Sequence, residues 1–218
     1  MGKSKGIDKI LFHFYHKIMQ KLNLFQVEKR LQEINKKIFT SQDIILLFGA
    51  KRRAVEAFLS YNLRKEKIIR LKNGVYAIKK SYLSPFLIAN HLYQPSYISF
   101  ETALSYYHLI PETVYNFFSA TTKPTRQFEA NNSAFIYHKI KKEAFLGYVV
   151  EKIEGESVFI ATPEKALADY CYFIYLKKKR WNDRINLQEI NFKKLKEYLK
   201  SFKKPNLIPY IKNYISVL

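Results

Sequence analysis

Apolar and polar positions along residues 39–78 follow the order helix, turn, helix, hairpin. Thr40 and Asp43 stand at capping-box spacing and open a short apolar helix predicted over residues 42–48. Gly49 follows, a residue that turns a chain readily after a helix. Residues 51–63 place Ala54, Val55, Phe58, Leu59 and Asn62 on one side at helical spacing. Arg53, Glu56, Ala57 and Ser60 fall on the opposite side, with Arg52 at its edge. Residues 68–72 and 75–78 then read as two strands joined by Asn73-Gly74, a dipeptide that predicts a two-residue type I′ turn.

This order is that of a winged helix-turn-helix, with the hairpin as its wing. Upstream, Ile7, Ile10, Leu11, Phe14, Tyr15, Ile18 and Leu22 form one stripe of a predicted N-terminal helix, and residues 25–36 read as a second helix. Downstream, Ser84-Pro85 marks a boundary. A helix is expected over residues 86–92, a turn at Gln94-Pro95-Ser96, and a helix capped by Ser99 running to about His108. Residues 114–121, 133–140, 144–150 and 157–161 then read as strands of an antiparallel meander. Thr162-Pro163-Glu164 is a helix start, with a hydroxyl N-cap and proline at the first position, for a helix over residues 164–176. Two Lys-rich amphipathic helices, broken at Lys204-Pro205 and Ile208-Pro209, complete the chain. The expected fold is therefore α+β. It has an N-terminal extension and first helix (residues 1–36), a winged helix-turn-helix (37–83), and a mixed domain with an antiparallel sheet and basic C-terminal helices (84–218).

Charge sharpens the first unit's role. The formal net charge is +20, distributed as +5 over residues 1–36, +8 over 37–82, −2 over 83–164 and +9 over 165–218. A general lysine bias would have enriched the middle as well. Lys51, Arg52 and Arg53 sit at a helix N-terminus, where the backbone dipole disfavours each cation by a few tenths to ~1 kcal/mol. Cations placed against the dipole point to an anionic ligand, and double-stranded DNA is the expected partner. The expected DNA-binding residues are Lys51, Arg52, Arg53 and Ser60, with Arg70 and Lys72 on the wing. Lys177, Lys178, Lys179 and Arg180 are candidate backbone contacts, weaker ones because cations at a helix C-terminus also suit the dipole.

Other chemistry finds little support in the residues. Cys171, the single cysteine, lies in an apolar run, which fits a buried small hydrophobe in a reducing cytoplasm. His13 and His16 lack a carboxylate or cysteine companion, so no metal or cofactor is expected. Residues 7–22 are interrupted by Asp8, Lys9, Lys17 and Lys21, so neither a membrane span nor a signal peptide is expected. An enzyme is not expected either. No Asp or Glu is followed two positions later by Lys in the strand region, as a restriction-type nuclease would need, and no nucleophile elbow, zincin helix or phosphate-binding glycine loop occurs.

Three blocks carry a family resemblance: Pro95-Ser96-Tyr97-Ile98-Ser99-Phe100-Glu101-Thr102-Ala103-Leu104-Ser105-Tyr106-Tyr107-His108-Leu109-Ile110-Pro111, Phe145-Leu146-Gly147-Tyr148, and Ala161-Thr162-Pro163-Glu164-Lys165-Ala166-Leu167-Ala168-Asp169-Tyr170. Following the helix-turn-helix segment in this order, over roughly residues 37–176, they resemble the AbiEi family, antitoxins of type IV toxin–antitoxin (abortive infection) systems. The resemblance implies a cytoplasmic bacterial repressor of its own operon, acting on operator DNA with inverted repeats. It also implies a second domain that counters a co-encoded nucleotidyltransferase-like toxin. The alternative is a DNA-binding transcriptional regulator with a sensing second domain and no toxin partner.

Overall fold

The computed structural model of the chain describes residues 22–218. The predicted N-terminal stripe up to residue 21, with His13 and His16, lies outside the described residues. The protein is α+β and divides into two compact units at Leu83/Ser84. Among the described residues, no helix is long and apolar enough to cross a membrane.

The first unit runs α1 (Leu24–Glu33), β1 (Ile38–Thr40), α2 (Ser41–Phe48), α3 (Arg52–Arg64), β2 (Ile68–Lys72), β3 (Val75–Ile78). Each boundary has a local cause. The Asn23 side chain accepts the Phe25 N–H at the start of α1 (2.9 Å). At α2 the capping box is complete: the Thr40 hydroxyl accepts the Asp43 N–H (3.1 Å) and the Asp43 carboxylate accepts the Thr40 N–H (2.7 Å). Gly49, at φ +60°, closes that helix in the left-handed region. Val27 and Leu31 of α1 share one core with Phe39, Ile44, Val55, Phe58, Leu59, Ile68 and Ile78, so α1 belongs to this unit. The three strands form an antiparallel sheet in the order β1-β3-β2.

Two details of this unit differ from expectation. Ala54 is exposed, and the apolar face of α3 begins at Val55. The hairpin turn is not type I′, because Gly74 takes a positive φ (+78°) and Asn73 does not. Turns outside the primed classes splay the strands, and the register shift between Arg70 and Lys72 supplies the compensating twist as a bulge at Leu71.

The second unit runs α4 (Pro85–Leu92), β4 (Ser96–Ile98), α5 (Phe100–Tyr106), β5 (Asn116–Thr121), β6 (Arg126–Ala130), β7 (Ser133–Lys139), β8 (Tyr148–Ile153), β9 (Glu156–Ala161), α6 (Pro163–Tyr175), α7 (Phe192–Ser201) and α8 (Leu207–Ile211). Its six strands are ordered β6-β7-β5-β4-β9-β8. The sheet is mixed, which corrects the expected antiparallel meander: β5 pairs with β7 in parallel, and β4 with β9 in parallel. The cause lies in two strands the hydrophobic pattern hides. β6 is Arg-Gln-Phe-Glu-Ala, mostly polar because it is an edge, and β7 returns between it and β5. β4 is three residues long and buried throughout, so it shows no alternation. The segment expected as a strand from Ala144 instead begins as a 3₁₀ turn at Lys142–Ala144, and Gly147, at φ +76°, separates that turn from β8.

β4 covers β9 only at Ile98 opposite Ile160. Where that cover ends, the Asn90 side chain of α4 replaces it. Its Oδ1 accepts the Phe159 N–H, and its Nδ2 donates to the Phe159 carbonyl (3.2 Å). Helix α6 is the spine of the unit, buried from Glu164 to Ile174 and packed by α5, α7, α8 and β9. Its Thr162 hydroxyl accepts the Lys165 N–H (3.3 Å), with Pro163 in the first turn.

Candidate nucleic-acid interface and a buried polar centre

Helices α2 and α3 begin in opposite electrostatic ways. Asp43 meets the positive end of the α2 dipole. Burial pushes its carboxyl up, but Lys36 (2.8 Å) and the Thr40 hydrogen bonds outweigh that and hold it below the ordinary value. At α3, Lys51 is the N-cap residue without a side-chain cap bond, Arg52 and Arg53 follow, and the first turn contains no acid. Arg52 reaches Glu56 one turn on (3.0 Å), in a pair exposed on both sides and worth ~0.3–0.5 kcal/mol, so a stronger anion can displace it. Lys51 and Arg53 make no side-chain ion pair among the described residues. Arg53, Glu56, Ala57 and Ser60 are all exposed, at the spacing of one helical face. On β2, Arg70 is exposed and lies over the Tyr76 ring (5.9 Å), its cross-strand partner, while Lys72 is half-buried beside the turn.

The Lys177–Arg180 run is split by the fold. Lys179 turns inward to Glu101, 2.5 and 2.7 Å from its two carboxylate oxygens, and sits over the Phe118 ring at 4.1 Å. Lys177, Lys178 and Arg180 remain exposed. Neighbouring His138 is wedged among Phe100, Phe118 and Phe173. Burial, reinforced by Lys179 and Lys178, lowers its pKa to about 4.

The second unit is built around one buried polar centre. Lys165 and Asp169, four apart on α6, are fully buried, with Lys165 Nζ 2.6 Å from Asp169 Oδ1. Asp169 Oδ2 accepts the Ser99 hydroxyl (2.6 Å) and the Tyr97 hydroxyl (3.0 Å). The Lys165 ammonium also lies 4.6 Å from the centre of the Phe202 ring. Burial pushes the Asp169 carboxyl above its ordinary range, against the pull of Lys165, Ser99 and Tyr97. It also pushes the Tyr97 hydroxyl well up, with Asp169 adding to the effect. Gly147 forms part of the wall: a Cβ there would lie 2.7 Å from the Tyr198 ring and 3.1 Å from Lys165 Cγ. Tyr148 stacks on Tyr97 (4.7 Å).

One sequence expectation is corrected here: Ser99 does not cap its helix with its side chain, because its hydroxyl serves Asp169. Lys165 and Asp169, one turn apart on α6, form a buried pair. The signal was present, since Ala166, Leu167, Ala168, Tyr170 and Cys171 leave α6 no polar face to present to water. Between Ser99 and α5, buried Phe100 adopts φ +54°, a conformation costing a bulky residue ~1–3 kcal/mol. Chemically, the centre is a clamp. Ser99 donates to a carboxylate that Lys165 already neutralises, and all four side chains are closed to solvent. Among the described residues, no group of three or more His, Cys, Asp or Glu side chains could hold a metal ion.

No model of a known protein family and no curated protein sequence matches this chain. Three sequence blocks, residues 95–111, 145–148 and 161–170, meet in space: Tyr97 and Ser99 from the first, Gly147 and Tyr148 from the second, Lys165 and Asp169 from the third.

Proposed function

We propose that this chain is a cytoplasmic bacterial antitoxin that binds operator DNA, represses its own operon and counters a co-encoded nucleotidyltransferase-like toxin. In this reading the first unit is a winged helix-turn-helix. α3 is its recognition helix, entering the major groove with Arg52, Arg53 and Ser60, and the β2–β3 hairpin is a wing placing Arg70 and Lys72 on the DNA backbone. One observation carries it: the N-terminus of α3 bears three cations and no acid, whereas α2, in the same unit, begins with the acid its dipole favours. An anion is the missing counter-charge, and a phosphate backbone supplies it. The toxin-countering role is assigned to the second unit on the strength of the three sequence blocks that converge on Lys165 and Asp169.

The test uses the full chain. Wild type should bind DNA from its own upstream region in an anisotropy titration. Arg53→Ala should weaken that binding by ~1–3 kcal/mol and relax sequence preference, whereas Lys51→Ala should weaken all sequences alike and reduce the salt slope by about one. With all three cations changed to Ala, operator binding should be lost, while growth rescue from the adjacent toxin gene, expressed from an unrelated promoter, should survive. Tight operator binding by that triple variant removes the DNA assignment. Loss of rescue at normal protein levels removes the separation of roles.

A further inference from the structure

The two edges of the six-stranded sheet are finished differently. At one edge, β6 carries Arg126, Gln127 and Glu129, the charged dressing that discourages strand addition. At the other, β8 opens with Tyr148, Val149 and Val150, all exposed, Val150 at 59%, and β9 is its only strand neighbour among the described residues. Cross-strand from Val150 lies exposed Phe159.

The direction of the free backbone groups can be read from Asn90. Phe159 gives its N–H and its carbonyl to the Asn90 side chain, so both point away from β8. Val150 and Phe159 are therefore a pair without mutual hydrogen bonds, and the Val150 N–H and C=O point to the open edge. The alternation sends those of Tyr148 and Lys152 outward as well. The Thr162 N–H to Gly147 carbonyl bond (2.9 Å) agrees, since it turns the odd-numbered positions inward.

We propose that β8 is the interface for a second copy of this chain, the two β8 strands pairing antiparallel across a two-fold axis at Val150. Such an axis, perpendicular to the sheet, sets even positions opposite even positions. Val150 then faces its own copy, and Tyr148 faces Lys152 in both directions. Each of these pairs joins outward-pointing backbone groups and exchanges two hydrogen bonds. Glu151 falls opposite Val149, Lys152 lies beside an aromatic ring, and no like charges face each other. The neighbouring registers are worse. Centring on Glu151 or Lys152 sets identical charges face to face, and centring on Val149 draws Gly147, at φ +76°, into the ladder. The pairing also covers the exposed valines, which makes a second copy the occupant that fits this edge. It requires nothing of the DNA or toxin assignments.

Sedimentation equilibrium of the full chain should give twice the 25.9 kDa chain mass. Val150→Cys should cross-link to a covalent dimer under mild oxidation, because opposed residues of a hydrogen-bonded antiparallel pair have Cα atoms about 5.5 Å apart, within disulfide range. Native Cys171 is buried and should not compete. Gln127→Cys, on the charged edge, should give no covalent dimer under the same oxidation. Val150→Pro removes an N–H that β9 does not use, so the fold should persist while the dimer dissociation constant rises at least ~30-fold. A monomeric wild type, a folded Val150→Pro that still dimerises, or equal cross-linking at Gln127→Cys would each overturn the proposal.

Discussion

Removing Asp169 should unfold the second unit far more easily than deleting any exposed charge. In Asp169→Ala the Lys165 ammonium keeps only the Phe202 ring at 4.6 Å as a partner, in a site closed to water. Breaking a buried pair from one side costs ~3–5 kcal/mol, and the Ser99 and Tyr97 hydroxyls lose their acceptor at ~1–3 kcal/mol each if neither finds another. These losses overlap, so a net destabilisation of ~4 kcal/mol or more is expected, a large share of the ~5–15 kcal/mol available to a typical domain. Replacing both charges, Lys165→Met with Asp169→Leu, should recover at least ~2 kcal/mol relative to Asp169→Leu alone, because the uncompensated ammonium is gone. The chain reports this cleanly. Trp181 is its single tryptophan and sits in the second unit, so urea unfolding followed by fluorescence reads that unit without the first. A loss below ~1 kcal/mol in Asp169→Ala, or a double variant no more stable than Asp169→Leu, would show that the buried pair does not hold the unit together.

His138 predicts an acid-side weakness. Its folded pKa of about 4 lies below the ordinary 6.5, so the unfolded chain binds the proton more readily, and stability should fall as pH drops from ~6.5 to about 4, with no further loss from this group below that. Discounted for the ring's partial exposure, the loss is ~1–2 kcal/mol, and His138→Phe should flatten that limb of the melting temperature against pH. An unchanged limb would count against it. Gly147→Ala should destabilise the second unit by ~2–3 kcal/mol, since the added methyl meets the Tyr198 ring at 2.7 Å on a backbone of positive φ; a urea midpoint equal to wild type would contradict this. Lys179→Ala should lower stability by ~1–3 kcal/mol and leave the salt dependence of DNA binding unchanged, because its charge is spent on Glu101. A flattened salt slope would return Lys179 to the interface.

Where structure is set by neighbours in sequence, the sequence read well. The Thr40–Asp43 capping box, the Gly49 stop, the span of β2 and β3, and the Thr162-Pro163 helix start all depend on side chains within a few residues of one another. What escaped depended on distant partners. β4 is a strand only because β5 and β9 flank it, and three fully buried residues leave no alternation to detect. β6 reads as loop because an edge strand facing water has little use for apolar residues. Ser99 sits where an N-cap belongs, yet the hydroxyl has a stronger acceptor seventy positions away in Asp169. The burial of Lys165 and Asp169 is hidden in the sequence for a related reason. Charged residues at helical spacing are usually solvated, and only the apolar remainder of α6 betrays that this pair is not.

The convergence of the three sequence blocks on Lys165 and Asp169 bears on where a partner could be met. Tyr97, Ser99, Lys165 and Asp169 are closed to solvent, so those block positions specify how the second unit is clamped together and cannot themselves touch a toxin, a nucleic acid or another copy. A signature of this kind reports architecture, and the contacts that distinguish one partner from another must come from side chains that the clamp leaves free. Two such surfaces in this unit differ in chemistry: the apolar edge at Val149 and Val150, and the cations of α7 and the Lys177–Arg180 run, less Lys179. They answer to different variables. Contacts made by the cations must weaken as salt rises, whereas strand pairing at β8 must follow protein concentration and change little with salt. The two dependences are therefore separable within one titration series on the unmodified chain, before any residue is changed.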